Sequence, residues 1–315
     1  MLGPQDVGQR VVVRRRAGQR DGRPVYSDAL GELIDLDTTG LTVRTTKGPL
    51  RVPHGDVVAA KRIPPPRLGT AALERIGSLA WPATEQGRLG DWQLRATGGW
   101  TGRANSALTI GDPGLALPDA IDAVAGWYAA RGLPARCNVP LPLAAAVDHA
   151  LDARAWARSV PTLVQTAPLA DLTAAGSASG DAGPADIRLE PEPSEDWLAA
   201  VAGWKGALPA AALRLLTAPE QVRFAAGYLD GRLTGTARGA LVSGVLHLSL
   251  VAVTPAARRQ GLAGRLSRAL ADWARGGGGH TAMLQVEETN GPAVALYAGL
   301  GFRTHHSYVT RTLNA

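Results

Sequence analysis

The pattern of apolar and polar positions divides the chain into three blocks. Up to about Ile63, apolar residues come in short runs at 10–16, 30–37, 40–46, 50–54 and 57–63, the first containing Val11-Val12-Val13. Turn residues separate them: Asp21-Gly22, Thr39-Gly40, Lys47-Gly48-Pro49 and His54-Gly55-Asp56. Short strands at this spacing predict a small all-β barrel. Pro64-Pro65-Pro66 predicts a stiff, extended connector. From about Leu68 to Leu172 the period alternates, with helices predicted over 71–79, 118–131 and 143–156 and strands over 92–97, 106–110 and 162–166. Residues 173–186 are Ala, Gly, Ser, Asp, Thr and Pro, the composition of a flexible linker. From Ile187 the order is a strand (187–190), two helices (194–204, 209–216), three strands (222–228, 233–241, 245–253), a helix (262–274), a strand (281–286), a helix (292–300) and a strand (306–312). The domains expected are therefore 1–66, 67–172 and 187–315, with 173–186 as linker.

Chemistry concentrates in the third block. A Val-x-Val strand, 251–253, stops at Pro255, and a basic turn, Arg258-Arg259-Gln260-Gly261-Leu262-Ala263-Gly264, opens into a helix. Orphan N–H groups at a helix start, together with its dipole, favour an anion, and Gly261 lets backbone approach phosphate closely. The glycine spacing fits neither a P-loop nor a dinucleotide fold. A second motif, Asn290-Gly291-Pro292-Ala293-Val294-Ala295-Leu296-Tyr297-Ala298-Gly299-Leu300-Gly301-Phe302, places Asn290 and Tyr297 seven residues apart on one helix face. Small Ala293 lies between them.

Together the two motifs resemble the GCN5-related N-acetyltransferase (GNAT) superfamily. The turn is similar to its Gln/Arg-x-x-Gly-x-Gly/Ala signature, and 290–302 to its Asn-x-x-Ala-x-x-Leu-Tyr-x-x-x-Gly-Phe stretch. The resemblance implies an α/β GNAT fold and transfer of an acetyl group from acetyl-CoA to an amine, without metal. It also implies that Arg258 to Gly264 hold pyrophosphate, that Val251 and Val253 bond the pantetheine arm through backbone, and that Asn290 binds that arm. Tyr297 would protonate the departing thiolate. For the base that deprotonates the amine, His247, Glu287 and Glu288 are rivals. Alternation along the strand sets His247 on one face with Ser249, Val251 and Val253. Serotonin-type acetyltransferases are similar in carrying His at the position of His247; at that of Ser249 they have a second His.

The first block resembles the SH3-like barrel that precedes the acetyltransferase domain in some actinobacterial proteins described as histone acetyltransferases. In the middle block, Trp127-Tyr128-Ala129-Ala130-Arg131-Gly132-Leu133 echoes Leu296 to Phe302. This suggests a degenerate first GNAT-like half; any amphipathic helix closed by Gly gives the same likeness. The segment 100–106, Trp-Thr-Gly-Arg-Ala-Asn-Ser, reads either as an acceptor-pocket wall or as a hydrogen-bonded loop.

Composition narrows the classes further. A 45% hydrophobic content suits globular cores. The single cysteine, Cys137, excludes an internal disulfide and argues against a cysteine-based zinc site. No apolar stretch reaches bilayer length and residues 1–10 lack a secretory apolar core, so a cytoplasmic protein with no membrane partner is expected. Net charge is +6, and residues 1–67 carry 12 Lys and Arg against 7 Asp and Glu. That excess leaves two rivals to an enzyme acting on a small-molecule or protein amine: a nucleic-acid-binding protein working through the barrel, and a non-catalytic acyl-CoA-binding regulator.

Overall fold

The computed structural model describes residues 2–45, 47–64, 67–172 and 186–314. Most of the linker predicted at 173–186, and Pro65 and Pro66 of the triple proline, lie outside the described residues. The chain forms two compact units, 1–67 and 68–315.

The first unit is all-β. Strands β1 (Arg10–Arg20), β2 (Arg23–Leu36), β3 (Gly40–Thr45), β4 (Gly48–Pro53) and β5 (Val57–Arg62) make an antiparallel sheet in the order β4-β3-β2-β1-β5. Among the described residues no pairing of β4 with β5 closes a barrel. Val11, Val13, Leu33, Leu41, Val43 and Val52 form the core. The hairpin β1–β2 runs beyond that core, from Arg15 opposite Ser27 to Arg20 opposite Arg23. Its outer half buries no apolar face, so no alternation announces it.

The second unit contains α1 (Thr70–Ala80), β6 (Glu85–Leu89), β7 (Trp92–Ala96), β8 (Ala107–Leu108), α2 (Leu117–Ala129), β9 (Arg136–Leu141), α3 (Ala145–Asp152), β10 (Ala157–Arg158) and β11 (Thr162–Pro168). There follow β12 (Asp186–Glu190), α4 (Glu195–Lys205), α5 (Ala210–Thr217), β13 (Val222–Leu229), β14 (Arg232–Val242), β15 (Val245–Val253), α6 (Leu262–Gly276), β16 (Thr281–Glu287), α7 (Gly291–Gly299) and β17 (Arg303–Thr312). No helix among the described residues is long and apolar enough to cross a membrane.

One sheet crosses this whole unit in the order β12-β13-β14-β15-β16-β11-β17-β9-β8-β7-β6, with β10 beside β17. The division expected between the middle and last blocks therefore does not separate two sheets. Strand β11, from the middle block, lies between β16 and β17, antiparallel to both. Reciprocally, β17 pairs with β9 of the middle block. A parallel strand–helix–strand unit occurs twice, as β8-α2-β9 and β15-α6-β16. The echo between 127–133 and 296–302 thus joins helices of different place: α2 corresponds topologically to α6, and it is α3 that corresponds to α7.

Two apolar layers fix α6 on the sheet. Leu262, Leu266 and Leu270 share a core with Leu246, Leu248, Leu284, Tyr297 and Phe302. On β14, a Cβ at Gly235 would stand 2.9 Å from both Leu262 and Leu266. Glycine there allows helix and sheet to approach closely enough for the start of α6 to meet the end of β15. The opposite face of the sheet carries Trp81, Trp100, Trp197, Phe224 and Leu250.

Candidate active site

Strands β15 and β16 are parallel neighbours only from Val245 opposite Thr281 to Leu248 opposite Leu284. Beyond Leu248 they separate, and the edge of β15 that faces β16 has no strand partner among the described residues. On its other side β15 stays paired with β14 as far as Val253 opposite Gly235. The register slips by one residue between Ser249 and Ala252, where Leu250 takes φ 53°. This bulge turns the strand over. Leu250 joins the tryptophan-rich face, while Val251 and Val253 pack with the α6 core. The alternation expected to put Val251 and Val253 beside His247 and Ser249 fails at that extra residue.

The opening leads into a groove of about 980 Å³, lined by Val251 to Pro255, Ala257, Arg258, Arg259, Gly261 to Ala263, Asn290, Tyr297 and neighbours. At one end, Gly261 is the N-cap of α6 with φ 73°, a left-handed conformation that glycine adopts without strain. The N–H groups of Leu262, Ala263 and Gly264 lack intrahelical partners, as at any helix start, and no side chain among the described residues caps them. They present a bare positive helix terminus suited to an oxyanion. Arg258 is partly committed, since its Nε donates to the carbonyl oxygen of Val253 at 3.2 Å. Arg259 is exposed on the groove wall with φ 63°. Two residues expected in the loop do not line the groove: Gln260, whose Nε2 donates to Ala256 O at 3.3 Å, and buried Gly264.

At the other end Asn290 caps α7, its Oδ1 accepting from Ala293 N–H at 3.3 Å, and Tyr297 follows two turns later. The Tyr297 ring is only 7% exposed and meets Phe302 edge-on with centroids 5.6 Å apart. Burial pushes its hydroxyl up to about 12, so it stays protonated across the physiological range. Ala200, Gly203 and Trp204 of α4 and Leu233 to Thr236 of β14 complete the walls. No motif marks these residues; the one signal is a tryptophan, Trp204, at the exposed end of a helix.

The three candidate bases occupy different environments, and none lines the groove. His247 is fully enclosed, with Nε2 3.0 Å from Gln285 Oε1 and 3.4 Å from Arg103 Nη1. Burial first, then the Arg103 charge, hold its pKa well below the usual value, so the ring is neutral. Glu287 and Glu288 are exposed at the end of β16, and the Glu288 N–H donates to Pro161 O at 2.9 Å. Glu287 alternates with Met283 and Gln285, which puts it on the His247 side of the sheet.

The segment 100–106 turns out to be internally bonded. Asn105 Oδ1 accepts from the N–H groups of Thr97 at 2.7 Å and Gly99 at 3.0 Å, and its Nδ2 donates to Thr101 O at 2.8 Å. The same loop delivers Arg103 to His247. Among the described residues no cluster of His, Cys, Asp or Glu is arranged to hold a metal ion.

Comparison with known proteins agrees with this architecture. The family described as "Probable histone acetyltransferase Rv0428c C-terminal" matches residues 70–310. The probable histone acetyltransferase Rv0428c of Mycobacterium tuberculosis is 29% identical over 328 aligned positions, covering 97% of this chain and 95% of that protein. The uncharacterized N-acetyltransferase YobR of Bacillus subtilis is 27% identical, covering 76% of this chain and 98% of the relative. A GCN5-related N-acetyltransferase from Kribbella flavida superimposes with a TM-score of 0.60 at 16% identity, over 79% of this chain and 97% of that one. With a splayed strand pair, an uncapped helix start at its mouth and this family match over most of its length, the chain belongs to the Rv0428c C-terminal family and is an acyltransferase of the GNAT type.

Proposed function

We propose that the protein transfers an acetyl group from acetyl-CoA to a primary amine by direct attack. The observation that carries this reading is the continuity of one groove from the bare start of α6, past the unpaired edge of β15, to the Tyr297 ring. The dimensions and chemistry suit that cosubstrate: N–H groups and Arg259 for pyrophosphate, a free strand edge for an amide-bearing arm, and a protonated phenol near the thioester end. We read the second unit as a tandem of GNAT-like halves in which the first is degenerate, and the first unit as SH3-like.

In this reading the amine nitrogen attacks the thioester carbonyl carbon, the C–S bond breaks, and acetyl remains on nitrogen. Tyr297 donates a hydrogen bond to sulfur as negative charge develops there. Its hydroxyl is a weaker acid than a thiol, whose ordinary value is about 8.5, so hydrogen bonding supplies most of the stabilisation. The amine proton leaves through Glu287, the one candidate that is both open to solvent and on the His247 side of the sheet. Enclosed His247 positions Gln285. The test is thiol release from acetyl-CoA against a broad panel of amines, with mass spectrometry of the product. A new acetamide with stoichiometric thiol release is expected. Release of thiol with no acetylated amine, or tight acetyl-CoA binding with no turnover on any amine, would refute the proposal.

A further inference from the structure

Behind the groove, on the tryptophan-rich side of β15, the protein gathers three guanidinium groups that no carboxylate among the described residues pairs directly. Arg95 and Arg238 are buried, Arg103 is half-buried with its Nε shut off from solvent, and none of the three forms an ion pair with a carboxylate among the described residues. Arg95 and Arg238 are held by neutral acceptors. Arg95 donates to Ser106 O at 2.9 Å and Ser106 Oγ at 3.0 Å. Arg238 donates to Leu216 O at 2.9 Å and to Ala80 O at 3.2 Å. The buried acid nearby, Glu74, contacts His306 at 2.9 Å, and its charge reaches Arg95 and Arg103 without an ion pair to either. Burial lowers all three guanidiniums, Arg95 to about 10 and Arg238 to about 9; arginine is the side chain that keeps its charge in proteins.

Arg103 differs from the other two. It lies over the Trp81 ring, 5.3 Å from its centroid, and Trp81 has other aromatic and cationic neighbours: Trp100 stacks on it at 5.7 Å and Arg238 approaches it at 5.2 Å. Its Nη1 stands 3.4 Å from the ring nitrogen of His247 and the Tyr308 hydroxyl is a further hydrogen-bond partner, but its Nε is shut off from solvent with no acceptor among the described residues. Around it Trp100 Nε1, His247 Nδ1 and Gln285 Nε2 are likewise buried and unpartnered. Three of these four atoms can only donate. Lys205 adds a further positive charge at the rim: its ammonium feels the charges of Arg103 and Glu287, and the adjacent Trp204 lines the groove. Buried donors and a buried cation left without acceptors are costly in an isolated fold. They cost little where a ligand supplies the acceptor.

We infer that the acceptor amine carries an oxyanion, carboxylate or phosphate, which Arg103 receives between Trp81 and His247 with Lys205 at the rim. This rests on the acyl-transfer reading and adds the substrate class: an amine separated by a short spacer from an anionic group, the amine toward the groove and the anion away from it. The fork of a guanidinium pairs two oxygens at once, which also fixes the orientation of the amine.

The experiment uses the full chain with acetyl-CoA and matched amines: β-alanine and amino acids for carboxylate, phosphoethanolamine for phosphate, and ethanolamine and amino-acid amides as neutral partners. Anionic amines should exceed their neutral partners in kcat/KM by at least about 10-fold; which anion gains more identifies the oxyanion. Arg103→Gln should bring that ratio close to one, mainly through KM, with acetyl-CoA affinity unchanged. Arg103→Lys should keep part of it. Neutral amines performing as well in the wild type, or a ratio unmoved by Arg103→Gln, overturns the inference. If no amine in the panel is acetylated, it is the acyl-transfer reading that fails, and tryptophan fluorescence decides the anion site separately. Glutarate or inorganic phosphate should then quench emission of the CoA-loaded wild type and not of Arg103→Gln. Equal responses, or none in the wild type, overturn it.

Discussion

Replacing Tyr297 by Phe removes one oxygen and leaves the ring. The ring packs on Phe302 and within the core that holds Leu262, Leu284 and Leu300, so the fold should lose less than about 1 kcal/mol. Binding of acetyl-CoA should change little, because the hydroxyl acts on charge that exists only as the C–S bond breaks. The rate should fall on the order of 10²–10³-fold, or ~3–4 kcal/mol of barrier, the usual cost of deleting one donor to a developing anion. The assay is kcat by thiol release at saturating acetyl-CoA, with calorimetry for affinity and circular dichroism for fold. An independent check comes from titration. Burial raises the hydroxyl from 10.0 to about 12, so stability is at its full value below the unfolded pKa and falls above it, where the unfolded chain releases a proton that the folded chain keeps. The loss, about 2.7 kcal/mol from two pH units, develops as pH climbs from 10 to 12. The wild type should therefore lose stability over that window more steeply than Tyr297→Phe. Full kcat in the variant would show that water or another group serves the sulfur. Identical alkaline unfolding curves would show that the hydroxyl is solvated rather than buried.

Three further outcomes follow from the same geometry. Arg259→Glu combined with Gly261→Asp puts negative charge and a strained left-handed residue at the mouth of α6, and should weaken acetyl-CoA at least about 100-fold by calorimetry, while unchanged affinity would move the phosphate site elsewhere. Glu287→Gln should lower kcat/KM for the acceptor about 10²-fold, near the lower end of what general bases contribute, whereas Glu288→Gln should stay within about twofold; the reverse order would exchange their roles. A chain beginning at Leu68 should fold and bind acetyl-CoA as the full chain does, since every groove residue lies in the second unit. A folded but non-binding product would place part of the site in residues 1–67.

Elements with an amphipathic period and a turn at each end were legible from sequence. The strand predicted at 245–253 is β15 to the residue, and helix 262–274 falls short of α6 by two. Strand β9 was not legible, because Cys137, Asn138, Val139 and Pro140 are buried on both faces and show no alternation. The glycine turn that opens α6 and the helix carrying Asn290 and Tyr297 could be read because each is a local device, made within one turn or one helix. The bulge at Leu250 could not: it depends on how β15 registers with β14, and the apolar residues 250–253 give no sign of an extra residue. Arg103 was visible only as a polar residue in an aromatic loop. Its meaning comes from His247, 144 positions later, and from Trp81, contacts that no sequence period encodes.

The exchange of β11 and β17 bears directly on how the two halves share the work. Strand β16 forms one arm of the splay that opens the groove, and on its far side its partner is β11, with seven matched positions from Thr162 opposite Glu287 to Pro168 opposite Thr281. The angle at which β16 leaves β15 is therefore set by a strand from the middle block. The same block supplies Trp81, Trp100 and Arg103, which face the other side of β15. The last block alone brings the uncapped helix, the free strand edge and Tyr297. What it lacks is the wall against which an acceptor would rest and the neighbour that holds the splay open. In the proposed reading the middle block is retained for geometry: it buttresses β16 from one side and carries guanidinium groups on the other side of β15. That division explains why the sheet is continuous where composition suggests a break, and why the charged cluster sits at the junction of the halves and not within either.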